Sequence, residues 1–90
     1  MHLTDRVSIP AQVMARQVGE ETVILDLGSG TYFGLDAVGA RMWQGLSEGQ
    51  TLAEICTALL AEYEVSPEEL ERDLLSLAEE LRAKQLISVA

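Results

Sequence analysis

The stretch Thr22–Leu35, TVILDLGSGTYFGL, decides the fold because it predicts two β-strands joined by a tight turn. Apolar side chains recur at every second position in its first half, as they do in a half-buried strand. The Gly28-Ser29-Gly30 run suits a hairpin, since glycine adopts positive φ without steric cost. After Leu35 the apolar period becomes helical. The last strand before the helices is therefore expected to have a free edge, which we interpret as the functional surface of the protein.

The residues before this hairpin predict one more strand. Val13–Val18 has strand-forming residues, and the polar turn Gly19–Glu21 separates it from the hairpin. The three strands are expected to form an antiparallel meander. Residues 1–12 are expected to be a flexible N-terminal arm, and residues 13–90 the folded domain. Ile9 precedes a proline and should be extended.

The residues after the hairpin predict three helices. Asp36 is a good N-cap for a helix over Ala37–Ser47. A capping box, Thr51-x-x-Glu54, opens the second helix. Ser66 caps the third, with a proline next and a glutamate expected to complete a second box. The fold class is therefore α+β, a winged helix-turn-helix with a three-stranded antiparallel sheet followed by three helices.

Composition limits the classes of function. Ninety residues form one domain, and the net charge of −9 opposes binding to nucleic-acid phosphates or anionic membranes. No run approaches the roughly 18 apolar residues of a membrane span. The N-terminus lacks an apolar signal-peptide region, and a single cysteine fits a reducing compartment, so a cytoplasmic location is expected.

Residues that could carry chemistry are few. Cys56 lies among apolar residues of the second helix, and the one histidine, His2, is in the N-terminal arm, so a buried structural cysteine is favoured over a nucleophile. One cysteine and one histidine supply no closed zinc set, and no cofactor is expected. Ser29 lies between glycines in a turn, unlike the helix-opening serine of an acyl carrier protein. We therefore expect no enzymatic activity.

Two features remain after the core is assembled. The strand Thr31–Leu35 has an edge with no identifiable partner, and the third helix has more apolar surface than its own fold needs. The helix residues form a widened stripe: Leu70, Leu74, Leu75, Leu77, Ala78 and Leu81. A groove between a strand edge and an apolar helix suits an extended peptide, because main-chain hydrogen bonds give affinity and side-chain pockets give specificity.

An ordered set of residues across most of the chain resembles a known family. The set is Leu25-Asp26, Tyr32-Phe33-Gly34-Leu35-Asp36, Gly39, Trp43, Glu48-Gly49, Thr51, Glu54-Ile55, Asp73, Leu77, Leu81 and Leu86-Ile87. It resembles the PqqD-like family, the RiPP recognition elements, which bind leader peptides of ribosomally made and modified peptides. The resemblance extends over about residues 13–89.

The resemblance implies that a leader peptide adds as an antiparallel strand beside the third strand and packs on the third helix. The residues that it assigns to peptide binding are Thr31, Tyr32, Phe33, Gly34 and Leu35 on the strand, and Leu70, Asp73, Leu74 and Leu77 on the helix. The chain is most similar to the discrete leader-binding half of a lasso peptide maturation protease. The implied partners are the precursor, a cysteine protease and a cyclase.

Alternatives remain open at this point. A winged helix is also a DNA-binding and regulatory fold, but the third helix opens with Glu68, Glu69, Glu71 and Asp73 against Arg72, which disfavours a recognition helix. Related domains serve pyrroloquinoline quinone and other pathways. An open strand edge permits a monomer or a weak edge-paired dimer.

Overall fold

The computed structural model describes residues 1–90, in five strands and three helices. In chain order they are β1 (Val7–Ser8), β2 (Val13–Val18), β3 (Glu21–Asp26), β4 (Thr31–Leu35), α1 (Ala37–Ser47), α2 (Leu52–Glu62), α3 (Pro67–Ala83) and β5 (Ser88–Val89). The predicted α+β architecture, a three-stranded antiparallel sheet followed by three helices, is confirmed. None of the helices has the length and apolar character needed to cross a lipid bilayer.

The main sheet has the order β2-β3-β4, so β3 is the only strand paired on both sides. Ile24 in its centre lies opposite Ala15 of β2 and Phe33 of β4. The β3–β4 turn is held by the buried carboxylate of Asp26, which accepts hydrogen bonds from Gly28 N and Ser29 Oγ, both at 2.9 Å. This turn leaves β4 at the outside of the sheet.

Side-chain caps fix where the helices begin. Asp36 Oδ1 accepts from Gly39 N at 2.8 Å at the start of α1. Thr51 and Glu54 form the complete predicted capping box of α2. Ser66 Oγ accepts from Glu69 N at 3.1 Å, but the expected reciprocal bond, from the Ser66 N–H to the Glu69 carboxylate, is absent. The Ser66 hydroxyl donates to Glu68 Oε2 at 3.3 Å instead.

One core is shared by the sheet and all three helices. Its largest fully buried side chains are Ile24, Met42, Leu52, Leu59, Leu74, Leu81, Leu86 and Ile87. Gly45, which weakens α1 by propensity alone, allows α1 and α2 to approach closely. A Cβ atom there would lie 2.5 Å from Ile55 Cγ1, so the contact requires glycine.

A second, two-stranded sheet joins the two ends of the chain. β1 and β5 pair antiparallel with Val7 opposite Val89, a pairing that the sequence did not predict. The carbonyl of Leu3 accepts from Ala53 N at 2.9 Å, and the Met1 ammonium lies 3.3 Å from a Glu79 carboxylate oxygen. Within residues 1–12, the segment expected to be a flexible arm, Met1, Leu3, Val7 and Ile9 are partly buried against the core.

Candidate functional site

The outer edge of β4 has no strand beside it. In an antiparallel edge strand, every second residue directs its N–H and C=O away from the neighbouring strand, where an added strand can bind them. Gly34 on β4 is exposed, and a Cβ atom at this position would have no neighbouring atom within 4 Å, so the backbone there is accessible. The strand Thr31–Leu35, assigned to peptide binding by resemblance, is therefore an open edge.

The side chains of β4 divide between the two faces of the sheet. Phe33 and Leu35 face the helices, where Leu35 is buried and Phe33 is half-buried against the core. Tyr32 lies on the opposite face and is 71% exposed. Of the predicted strand residues, Phe33 and Leu35 thus face the side where α3 lies, whereas the Tyr32 side chain does not.

A cavity of about 400 Å³ lies between the beginning of α1 and the first half of α3. Its lining residues are Asp36, Val38, Gly39, Val65, Glu69, Leu70, Asp73, Leu74 and Leu77. All four helix residues assigned from the resemblance are in this set. None of Thr31–Leu35 lines it, although Asp36 follows β4 directly.

Gly39 connects the cavity to the β4 edge. A Cβ atom at this position would lie 3.2 Å from a methyl carbon of Leu35 and 3.2 Å from one of Leu77. The end of β4 and the middle of α3 therefore converge on Gly39. The strand edge and the cavity are therefore neighbours on the molecule, and together we call them the β4–α3 groove.

The leucines of α3 differ in how much of their side-chain surface a bound molecule could contact. Leu74 is 1% exposed and Leu70 is 6% exposed, so both belong to the core and form the floor of the cavity. Leu77 is half-buried, and its apolar surface is accessible from the groove. The helical period alone did not separate these two kinds of leucine.

Charge is unevenly distributed around the groove. Asp36, Glu69 and Asp73 bring three carboxylates to the cavity, and none of them is in an ion pair. Toward the other end of α3, Lys84 Nζ lies 5.7 Å from the centroid of the Phe33 ring, within the range of a cation–π contact. The cavity end is therefore acidic.

Several lining residues were not predicted as site residues. Asp36, Val38 and Gly39 come from the start of α1, and Val65 comes from the turn between α2 and α3. Their position depends on how α1 packs against α3, which leaves no local pattern in the sequence. The one available signal was Gly39, a poor helix former that lies inside a helix.

The candidate nucleophiles have structural roles. Cys56 is 4% exposed, and burial, together with the nearby Glu71 charge, raises the pKa of its thiol. A reactive cysteine needs a lowered pKa and access to solvent. The Ser29 hydroxyl donates to the Asp26 carboxylate within the hairpin turn. No three histidine, cysteine or acidic side chains lie close enough together to hold a metal ion.

A second, wider cavity of about 810 Å³ lies between β2 and α1. Its walls are mostly alanine and polar side chains, and its arginine, Arg41, is paired with Glu62 at 2.6 Å. This hydrogen bond raises the pKa of Arg41. The cavity lacks the apolar helical wall of the β4–α3 groove, so it is the weaker candidate for a binding site.

Comparisons with known proteins agree on one family. A family model described as coenzyme PQQ synthesis protein D (PqqD) matches residues 21–87. No curated protein sequence shows significant similarity to this chain.

Two solved structures share the fold over nearly the whole chain. The first, TbiB1 in complex with the TbiA(beta) leader peptide, is 44% identical and has a TM-score of 0.83, covering 89% of this chain and 93% of TbiB1. The second, a lasso peptide synthetase B1 complexed with the leader peptide, is 28% identical with a TM-score of 0.84 and covers 92% of this chain and 98% of that one. Both of those proteins were solved with a leader peptide bound.

Proposed function

This chain belongs to the PqqD family, and from that membership we propose that it binds the leader region of a ribosomally made precursor peptide without modifying it. One observation carries the proposal. An apolar cavity opens beside the free edge of β4, in a fold shared with two leader-peptide complexes. The buried thiol of Cys56 and its raised pKa support a non-catalytic role.

In the proposed binding mode, the leader adds to β4 as an antiparallel strand. Backbone groups of Thr31–Leu35 would form the hydrogen bonds, which depend little on the peptide's sequence. Specificity would come from a peptide side chain that enters the cavity and packs on Leu77 above the floor of Leu70 and Leu74. The Asp73 carboxylate lies beside that position.

We further propose that the bound precursor is delivered to a cysteine protease of a lasso peptide pathway and then to a cyclase, in the cytoplasm. Delivery needs a surface that stays accessible while the groove is occupied. The sheet face opposite the helices supports this step, because Met14 is 56% exposed and Tyr32 is 71% exposed on it. Both lie in one row across the sheet with Leu25 between them.

A direct test uses a fluorescein-labelled synthetic TbiA(beta) leader peptide and measures its affinity by fluorescence polarisation. We expect a Kd in the micromolar range or tighter. Leu77→Asp should weaken binding at least about tenfold, because it places a charge in the apolar wall without removing a core side chain. Leu27→Asp is the matched control, since Leu27 is 58% exposed in the hairpin turn, and it should bind as the native protein does.

The same titration followed by NMR tests the mode of binding. Amide resonances of Thr31–Leu35 should shift more than those of β2, the other edge strand. Circular dichroism of both variants separates loss of binding from loss of fold. Equal affinity of the two variants for the peptide, or shifts confined to β2, would exclude the β4–α3 groove as the site.

A further inference from the structure

The charge around the β4–α3 groove constrains what can lie in it. The carboxylates of Asp36, Glu69 and Asp73 border the apolar cavity without a cationic partner. Glu80 lies seven residues after Asp73 and therefore on the same side of α3. The neighbouring Glu79 differs, because it contacts the Met1 ammonium and Arg82.

At the opposite end of the groove, the positive and negative side-chain charges nearly cancel. Lys84 lies there against the Phe33 ring, and Glu80 precedes it by four residues on the same helical face. The negative charge is therefore concentrated at the cavity that Asp36, Glu69 and Asp73 line, near the end of β4 and the beginning of α3.

A peptide that covers the cavity removes water from these carboxylates. A desolvated carboxylate without a partner is costly, and an acidic peptide side chain beside it adds repulsion. An arginine or lysine at that position instead forms a charge-assisted hydrogen bond. Complementary charge of this kind also selects among peptides that fit the apolar part equally well.

The direction of β4 determines where the basic residue falls in the peptide. β4 runs from the Phe33 and Lys84 region toward Asp36 and the acidic end. A peptide strand paired antiparallel with β4 runs the other way, so its N-terminal residues lie at the acidic end. Asp73 precedes Leu77 along α3, and Phe33 lies farther on, beside Lys84. The peptide residue near Asp73 therefore comes before the residue that packs on Leu77.

We propose that the groove selects a leader segment in which a lysine or arginine comes just before the apolar side chain that enters the cavity. This inference rests on the proposed function, because it assumes that an antiparallel leader occupies the groove. It adds to that function the chemical class of two leader residues, one basic and one apolar, and their order in the leader.

The test is a selection from a random library of 12-residue peptides by mRNA display on three immobilised proteins. The native protein should enrich peptides with a basic residue before an apolar one. Asp73→Lys should lose this preference or replace it with an acidic one. Glu20→Lys makes the same charge change in the exposed β2–β3 turn and should keep the native preference.

Individual peptides then make the result quantitative. Changing the enriched basic residue to glutamate should weaken binding to the native protein at least about tenfold, and Asp73→Lys should recover most of that loss. Peptides enriched for apolar residues without charge preference would overturn this inference and leave leader binding intact. Basic residues enriched after the apolar residue would also overturn it. If no peptide is enriched on any of the three proteins, the proposed function itself fails.

Discussion

Leu74 and Leu77 are three positions apart on α3 and have different roles. Leu74 is 1% exposed and is part of the floor shared by the core and the cavity. Leu77 is half-buried, and one of its methyl carbons would lie 3.2 Å from a Cβ atom added at Gly39. A contribution to stability and a contribution to binding can therefore be separated by substituting neighbouring leucines.

This separation gives a prediction at the residue scale. Leu74→Ala should lower the free energy of unfolding by about 2–5 kcal/mol, because it leaves a cavity in a closed core. Leu77→Ala should cost less than about 1.5 kcal/mol, since solvent already reaches that side chain. Urea denaturation followed by circular dichroism measures both. Equal losses would mean that Leu77 belongs to the core and is not available to a peptide.

The site could be predicted from sequence only in part at this scale. Leu70, Asp73, Leu74 and Leu77 follow from the helical period and the resemblance, and all four border the cavity. Whether they bind a peptide remains a prediction. Val38 and Val65 are not evident from sequence as lining residues, because their contribution arises from how α1 and the α2–α3 turn pack against α3.

Among the elements, α2 depends most clearly on its first turn. Thr51 accepts from Glu54 N at 3.2 Å, and the Glu54 carboxylate accepts from Thr51 N at 2.9 Å. Hydrogen bonding of the Glu54 carboxylate to the Thr51 N–H, and to a lesser extent to the Thr51 hydroxyl, lowers the pKa of Glu54 below its ordinary value of 4.5. The capping box is therefore sensitive to pH.

The pH dependence follows from the direction of this pKa shift. A carboxyl group whose pKa is lower in the folded state contributes stability above its unfolded pKa and loses that contribution as pH falls through the folded pKa. Glu54→Ala should therefore be less stable than the native protein at pH 7, and the difference should shrink below about pH 4.5. Thermal unfolding between pH 7 and pH 3 measures this. A difference that does not change with pH would contradict the assignment.

Element boundaries show what local sequence determines. Asp36, Thr51 and Ser66 each mark the start of a helix because capping is a short-range interaction. β1 and β5 were not predicted as a pair, because each has two residues and they lie at opposite ends of the chain. Such a pairing is set by tertiary packing, and two residues are too few to show a period.

At the scale of the whole molecule, the N-terminal segment gives the clearest test. The partly buried side chains of Leu3 and Val7 pack against the core, whereas Thr4 and Ser8 are exposed. The double substitution Leu3→Ser and Val7→Ser should lower the free energy of unfolding by about 2 kcal/mol, from lost apolar burial.

The matched control is the double substitution Thr4→Ala and Ser8→Ala, which alters the exposed positions of the same segment and should change stability by less than about 0.5 kcal/mol. Chemical denaturation of the two double variants measures the difference. If both are as stable as the native protein, the segment behaves as the flexible arm that the sequence indicated.

The β1–β5 pairing also has a consequence for how this domain can be joined to other proteins. The Ala90 backbone donates to the carbonyl of Arg6 at 2.8 Å, so the first and last strands of the fold lie side by side. A domain whose first and last strands are adjacent can be inserted into a loop of a larger protein with little change to the course of its backbone. The same fold is thus suited to act as a separate subunit or as a module within a multidomain enzyme.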